Sequence, residues 1–268
     1  MNEWRPSGLF LQSEFIFWEE FSRVEDIGDA HVITTPSNPA WRWGHVLVLH
    51  GPPQAEGVAH WREIHATCIG PHQLTPHRML LWDGPALDPS TLQAYEADGW
   101  KFRSMDVLTL RELEQPNFYN SEIEVLQLDD SDSDWDAVLA LDVACFGAEA
   151  NNPNYHIFAS RRNKQYKEMV AKGGGHWYGA FLAGELVGSL GIFEGDGLLR
   201  YQEIAVIPAH QRKGIASTLI YESALVGLEE FPNHTQVIVT DKDNSSIRVY
   251  RSLGFETESY SYSLSGSV

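Results

Sequence analysis

A chain of 268 residues with 19 basic and 37 acidic side chains carries a net charge of −18. That excludes a nucleic-acid backbone as partner, since such binding rests on Lys and Arg neutralising phosphates. Hydrophobic residues at 43% and aromatic residues at 12% supply cores for two domains of ordinary size and exclude a disordered chain.

The start, Met1 to Pro6, lacks the basic opening and long apolar core of a secretory signal. No apolar run reaches the roughly twenty residues that span a bilayer, so no membrane partner is expected. In the first half, His31–Thr35 and Gly44–His50 read as strands, closed by Pro36–Pro39 and Gly51–Pro53. Gly57–Ile69 has helical character, Arg78–Trp82 reads as a strand, and Pro89–Ala97 as a short helix capped by Asp88 or Ser90. Trp100–Leu110 supplies one or two closing strands. His60 and His65 are five apart, on different sides of a helix, and do not make a His-Glu-x-x-His metal pair. Trp41, Trp43, Trp61 and Trp82 fit a core or the wall of a pocket. Cys68 and Cys145 stand far apart with no disulfide framework or metal spacing, which fits two thiols in a reducing compartment, the cytoplasm.

The polar segment Glu114–Ser121, with its proline, marks a boundary between domains at 1–118 and 119–268. Beyond it, Glu122–Leu128 alternates as a strand and Trp135–Phe146 reads as a helix. Gly147–Tyr155 reads as a loop and His156–Ala171 as a basic helix. Strands follow at Trp177–Leu182, Leu186–Phe193 and Leu199–Ile207, with Gly195-Asp-Gly197 as a hairpin turn. A long helix opens near Gln211, Thr235–Thr240 is a β-branched strand, Asn244–Leu253 a helix and Glu256–Leu264 a last strand. This order predicts an α/β fold, a mixed sheet with helices on both faces.

The stretch Glu203–Ile220 has the grammar of an anion site. A β-branched strand is ended by Pro208, and a helix opens on Gly214 with Ile215, Ala216, Leu219 and Ile220 on one side. The first-turn amides, those of Ile215, Ala216 and Ser217, have no partner within the helix and carry partial positive charge, so a phosphate binds there without special side chains. Gly214 lets the backbone approach a diphosphate, and Arg212 and Lys213 add charge at the same turn. Taken alone, the stretch also fits an ordinary strand-to-helix turn with a solvated basic pair.

The spacing Val206-x-Pro208-x-x-Gln211-x-x-Gly214-x-Ala216, followed by Tyr250-x-x-x-Gly254-Phe255, resembles the GNAT N-acetyltransferase family over about residues 122–268. The resemblance implies a GNAT-like fold that binds acetyl-coenzyme A as co-substrate, with no metal. Gln211 to Ser217 would then be the pyrophosphate loop, and the backbone of Ala205 and Val206 would meet the pantetheine arm and thioester oxygen. Tyr250 matches the tyrosine that protonates the departing thiolate, a role for which a phenol is a suitable donor, and packing is its alternative. Glu203 is the candidate general base, or else a carboxylate at a strand's solvent end. The family often has asparagine seven residues before the tyrosine; here that place is Asp243, and Asn244 beside it either reaches the cofactor or caps its helix.

Tyr95-x-x-x-Gly99-Trp100 echoes Tyr250-x-x-x-Gly254-Phe255, which implies a tandem of two related α/β domains, the first without a counterpart of Gln211–Ala216. The implied activity is transfer of an acetyl group to a primary amine of a small molecule or peptide, by direct attack in a ternary complex, in a monomer or homodimer. The alternative is a non-catalytic coenzyme A-binding module. Gly-x-x-x-x-Gly-Lys-[Ser/Thr] and Gly-x-Gly-x-x-Gly are both absent.

Overall fold

A computed structural model describes residues 4–146 and 151–267. The chain forms two compact units. The first runs to Val107 and takes in Asp241–Asp243 and the chain from Ser259; the second comprises Leu108–Thr240 and Asn244–Glu258. The second unit thus begins ahead of the polar segment that composition marks as a boundary. That segment is no free linker. The Glu114 amide donates to the Leu253 carbonyl at 3.1 Å, and the Asn120 side chain donates to the Lys213 carbonyl at 2.7 Å.

In the first unit α1 (Leu9–Phe21) precedes β1 (Arg23–Asp26), β2 (Ala30–Thr34) and β3 (His45–Leu49). Then come α2 (Val58–Cys68), β4 (Arg78–Asp83), α3 (Pro89–Ala97) and β5 (Lys101–Leu110). Strands β1, β2 and β3 pair antiparallel, and β3 pairs parallel with β4. The far half of the last strand, β11 (Phe255–Gly266), pairs antiparallel with β4 through Ser261↔Asp83 to Gly266↔Arg78. Asp88 caps α3, its Oδ1 accepting from the Ser90 and Thr91 amides at 2.9 and 3.0 Å. Helix α1 has no counterpart among the elements read from the sequence. Phe10, Leu11, Phe15, Phe17 and Trp18 are buried around it, so its apolar pattern is broad, and Gly8 at its start offers no capping side chain.

The second unit runs β6 (Ile123–Leu128), α4 (Asp132–Cys145), α5 (Pro153–Ala171), β7 (Gly175–Leu182), β8 (Glu185–Gly195) and β9 (Leu198–Val206). Then follow α6 (Ile215–Glu230), β10 (Thr235–Asp241), α7 (Ile247–Ser252) and the start of β11. This is the order expected from the sequence. Strands β6 to β9 form an antiparallel meander, and β10 joins β9 in parallel. The β8–β9 turn has Asp196 and Gly197 both left-handed (φ 49° and 76°), the two-residue geometry whose twist suits a hairpin. Helix α5 starts earlier than the sequence reading: Asn152 caps it by accepting the Asn154 amide at 3.0 Å, so residues 153–155 are helical. The rest of the loop read at Gly147–Tyr155 includes residues 147–150, which lie outside the described residues.

The expected duplication is present in the topology. In each unit an antiparallel trio is followed by a helix, a strand parallel to the third, a short helix and another strand. Gly99 and Gly254 close the short helices in the left-handed region, with φ of 81° and 92°, where a Cβ is disfavoured. Trp82 and Trp100 pack with Leu47, Leu80 and Tyr95 in the first core, and Phe255, Leu219 and Ile220 with Leu190 in the second. Of the four tryptophans noted from the sequence, Trp41, Trp61 and Trp82 are buried.

Four histidines, His31, His45, His65 and His77, are buried in the first unit. Neither ring nitrogen of His65 has a hydrogen-bond partner among the described residues. Burial pushes His45 down to about 4 and His65 to about 3. Both therefore stay neutral when folded and take up protons when unfolded below 6.5. Their contribution to stability is complete above that pH and is lost as pH falls toward the folded values. In urea unfolding followed from pH 7 to pH 5, stability should fall by up to about 1.4 kcal/mol per pH unit for each histidine. His65→Leu should remove one histidine's share of that slope.

Candidate active site

Strand β9 shapes the site by two departures from regular pairing. It is paired with β10 only through Leu198–Arg200 opposite Thr235–Val237. From Tyr201 onward, among the described residues, that edge of β9 has no strand partner. On its other edge β9 carries a bulge. Ser189 faces Ala205 and Gly191 faces Gln202, so Glu203 and Ile204 together oppose Leu190. Glu203 sits in the left-handed region at φ 52°, which non-glycine residues enter only when their surroundings hold them there.

What holds Glu203 is an ion-pair chain. Its carboxylate accepts from Arg162 Nη1 at 2.7 Å, while Arg162 Nη2 donates to Asp142 Oδ2 at 2.9 Å. The Tyr155 hydroxyl donates to the same Asp142 oxygen at 3.0 Å. Only 12%, 13% and 19% of the Arg162, Asp142 and Glu203 side chains is exposed. The guanidinium also lies 4.4 Å from the Phe158 ring centre, one helical turn back. Burial pushes the Glu203 carboxyl up and the Arg162 cation opposes it. Burial and the Asp142 charge push the Tyr155 phenol up strongly.

Asp142, Arg162 and Glu203 line a small cavity, partly open to solvent. Val138, Leu139 and Leu141 of α4, Ala159 and Tyr166 of α5, and Trp177 of β7 form its apolar wall. Ser189 and Ala205 lie on the strands beside the bulge. The three formal charges sum to −1 within this apolar wall, an environment that attracts a cation.

Around the corner of the strand, the loop residues fall into different roles. Ile207 donates its amide to Val187 of β8 at 3.0 Å. By strand alternation Ala205 also turns toward β8, and Val206 presents its amide to the unpaired edge. Of the two residues expected to meet a ligand through the backbone, Val206 alone is free to do so on that edge. Gln211 straps the loop to the strand, its Nε2 donating to the Val206 carbonyl at 3.1 Å. Arg212 and Gly214 are both left-handed (φ 60° and 75°), and α6 begins at Ile215. The amides of Ile215, Ala216 and Ser217 form the open first turn. The Arg212 and Lys213 side chains are exposed. Successive left-handed turns of amides with a helix start make a cradle that fits a pyrophosphate.

The need for glycine at 214 has a second source. A Cβ there would meet the Phe118 ring, with the Phe118 carbonyl oxygen at 2.8 Å. Ser217 turns its hydroxyl back to the Gly214 carbonyl at 2.9 Å. Asn244 is exposed and accepts the Ser246 amide at 2.9 Å, forming a turn ahead of α7, which starts at Ile247 and not at Asn244. Tyr250 is 7% exposed and belongs to the second unit's core with Val206 and Ile215, and burial pushes its phenol up.

Arg162, Asp142 and Tyr155 are not singled out in the sequence reading. One signal existed: Tyr155, Ala159, Tyr166 and Met169 are the inward face of α5, and Arg162 falls at the spacing of that face. Its basic neighbours Arg161 and Lys164 lie off it.

Residues 135–255 match the model of the Acetyltransferase (GNAT) family; this part of the chain is a GNAT acetyltransferase domain. A GCN5-related N-acetyltransferase from Kribbella flavida superposes with a TM-score of 0.65 at 15% identity, covering 95% of this chain and 93% of that one. A conserved protein of unknown function from Staphylococcus epidermidis gives 0.72 at 12% identity, covering 92% and 94%. A tandem GNAT protein of the clavulanic acid biosynthesis pathway gives 0.56 at 15% identity, covering 92% and 79%. These likenesses establish the fold. No curated protein matches the sequence.

Replacing Arg162 by methionine leaves two largely buried carboxylates without their cation. Urea unfolding at pH 7 should show a loss of about 2–3 kcal/mol, smaller near pH 5 as the carboxyls take up protons.

Proposed function

We propose that the second unit transfers the acetyl group of acetyl-coenzyme A to the primary amine of a small molecule, by direct attack in a ternary complex. The observation that carries this reading is the cavity in which Glu203, Asp142 and Arg162 meet the bulge of β9, next to the strand's unpaired edge. The net negative charge of its lining suits a cationic amine.

In this reading Val206 and the first-turn amides from Ile215 to Ser217 bind the coenzyme, with Arg212 and Lys213 adding charge toward its phosphates. The coenzyme brings the activated acyl group. Glu203 takes the proton that the amine must lose for its nitrogen to attack, and a carboxyl raised by burial is a stronger base than an exposed one. Arg162 keeps Glu203 aimed by holding it at the bulge. Tyr250 gives its phenolic proton to the sulfur as the C–S bond breaks and recovers one from the newly acylated nitrogen, while the first proton, taken by Glu203 from the ammonium group, passes to solvent. Gln211, Asn244 and the backbone of Ala205 serve to shape the loop and strand. The described residues include no helix long and apolar enough to cross a membrane. With Cys68 and Cys145 both free thiols, the reducing cytoplasm is the proposed setting.

Incubating the protein with acetyl-coenzyme A and a panel of amines should release free thiol from a subset of small amines. Calorimetry showing no coenzyme A binding would overturn the reading, and binding without thiol release from any amine would favour a non-catalytic coenzyme A-binding module. Tyr250→Phe and Glu203→Gln should each lower kcat by about 10²-fold or more, with the coenzyme KM changed little. An unchanged kcat in either variant removes that residue from the chemistry.

A further inference from the structure

The first unit has no amide cradle after its third strand, but it has a cluster of a different kind at the same end. Asp26, His31 and His50 each place one donor atom within 4.8 Å of the other two. Among the described residues this is the only group of three or more His, Cys, Asp or Glu side chains so placed. Strand register brings them together. Asp26 pairs with His31 across β1 and β2, and His31 pairs with Val48 across β2 and β3, two residues short of His50. Alternation therefore puts all three on one face of the sheet, on three neighbouring strands or their ends.

We propose that Asp26, His31 and His50 bind a divalent transition-metal ion of zinc-like preference. His50 Nε2 faces His31 Nδ1 at 3.2 Å. Two imidazole nitrogens on one tetrahedral zinc, each at about 2.0–2.1 Å, stand about 3.3 Å apart, so the pair is already spaced for a shared ion. Asp26 is held by its Oδ1, which accepts the Gly28 amide at 2.8 Å, and one of its carboxylate oxygens lies within 4.8 Å of a nitrogen of each histidine. Two histidines and a carboxylate form a nitrogen-and-oxygen set that first-row divalent ions favour over magnesium or calcium.

The site is also prepared for an ion. Trp4 stacks on the His31 ring at 4.0 Å and 18°, fixing its plane. His31 is buried, 4% exposed, so its ring is held in place beneath the exposed pair. His50 and Asp26 are exposed, so an ion can enter. His50 and Asp29 line an open cleft with Gly51, Pro52, Gln54 and Trp61. The cleft lies where β3 turns toward α2, the place that the cradle occupies after β9. An ion here would face it with coordination positions left for water or a ligand.

The sequence carries no motif for this site, because the ligands are separated by ordinary strand and turn residues and only pairing makes them neighbours. The test is titration of the metal-free full chain with zinc by calorimetry at 0.15 M salt, which weakens diffuse binding to surface carboxylates. Cobalt absorption serves as an independent report of nitrogen ligation. One equivalent should bind. His50→Ala, at an exposed position that leaves the core intact, should weaken it by at least tenfold and abolish the cobalt bands. His60→Ala, an exposed histidine elsewhere in the unit, should leave both unchanged. Equal affinity and spectra for His50→Ala and the unsubstituted protein, or no saturable binding, would overturn the proposal. The result is independent of acetyl transfer, since no residue of the second unit takes part.

Discussion

The guanidinium of Arg162 ties three elements of the second unit to one point. It reaches Asp142 on α4 and Glu203 on β9 from its own place on α5. Two carboxylates in a mostly apolar wall would repel each other and resist ionisation without that cation. With it, each keeps a charge-assisted hydrogen bond and a fixed direction. The same contact holds Glu203 at a backbone angle that a side-chain-bearing residue seldom adopts. The cavity, its charge and the bulge are thus one arrangement, and the position of Glu203 beside the unpaired edge depends on the cation that restrains it.

The other half of the site comes from what β9 does not do. A parallel pair that stays joined for only three residues leaves backbone donors on an open edge. Donors that are unpaired by design, in an otherwise paired sheet, are available to a ligand at no cost in lost sheet bonds. The loop that follows uses side chains mainly for its own construction. Gln211 braces it against Val206 and Asn120 holds the Lys213 carbonyl, leaving amides and two exposed cations to face outward.

The duplicated frame shows how little of this is carried by topology. After β3 the first unit has Gly51, Pro52 and Pro53 and a short 3₁₀ turn at Ala55–Gly57 in place of the cradle. Prolines bring no amide, so that turn cannot present a row of donors. Tyr95, the counterpart of Tyr250, is fully buried and gives its hydroxyl to the Gln54 carbonyl at 3.3 Å. A tyrosine at this point of the fold has a packing function in one unit, and the neighbouring loop decides whether it can also have a chemical one.

Much of the second unit could be read from the amino-acid order, because its signals are local. The β-branched run before Pro208, the glycine opening α6, and the helix-closing Gly254 each act within a few residues, and their spacing marks the family. Helix α1 escaped because an all-round apolar face has no helical period to detect, and the start of α5 escaped because Asn152 caps it among residues that equally suit a loop. The partners of Glu203 were not legible for a stronger reason. Arg162 belongs to a run of basic residues, and its inward placement is decided by which face of α5 meets α4 and the sheet. Likewise the domain boundary looked like a linker because its residues are polar, and those polar groups are spent on the Leu253 and Lys213 carbonyls. The sequence by itself determined the order of elements in the second unit and the family it resembles. Only tertiary packing decided which charges are buried together, since a buried ion pair depends on distances across elements that no local pattern encodes.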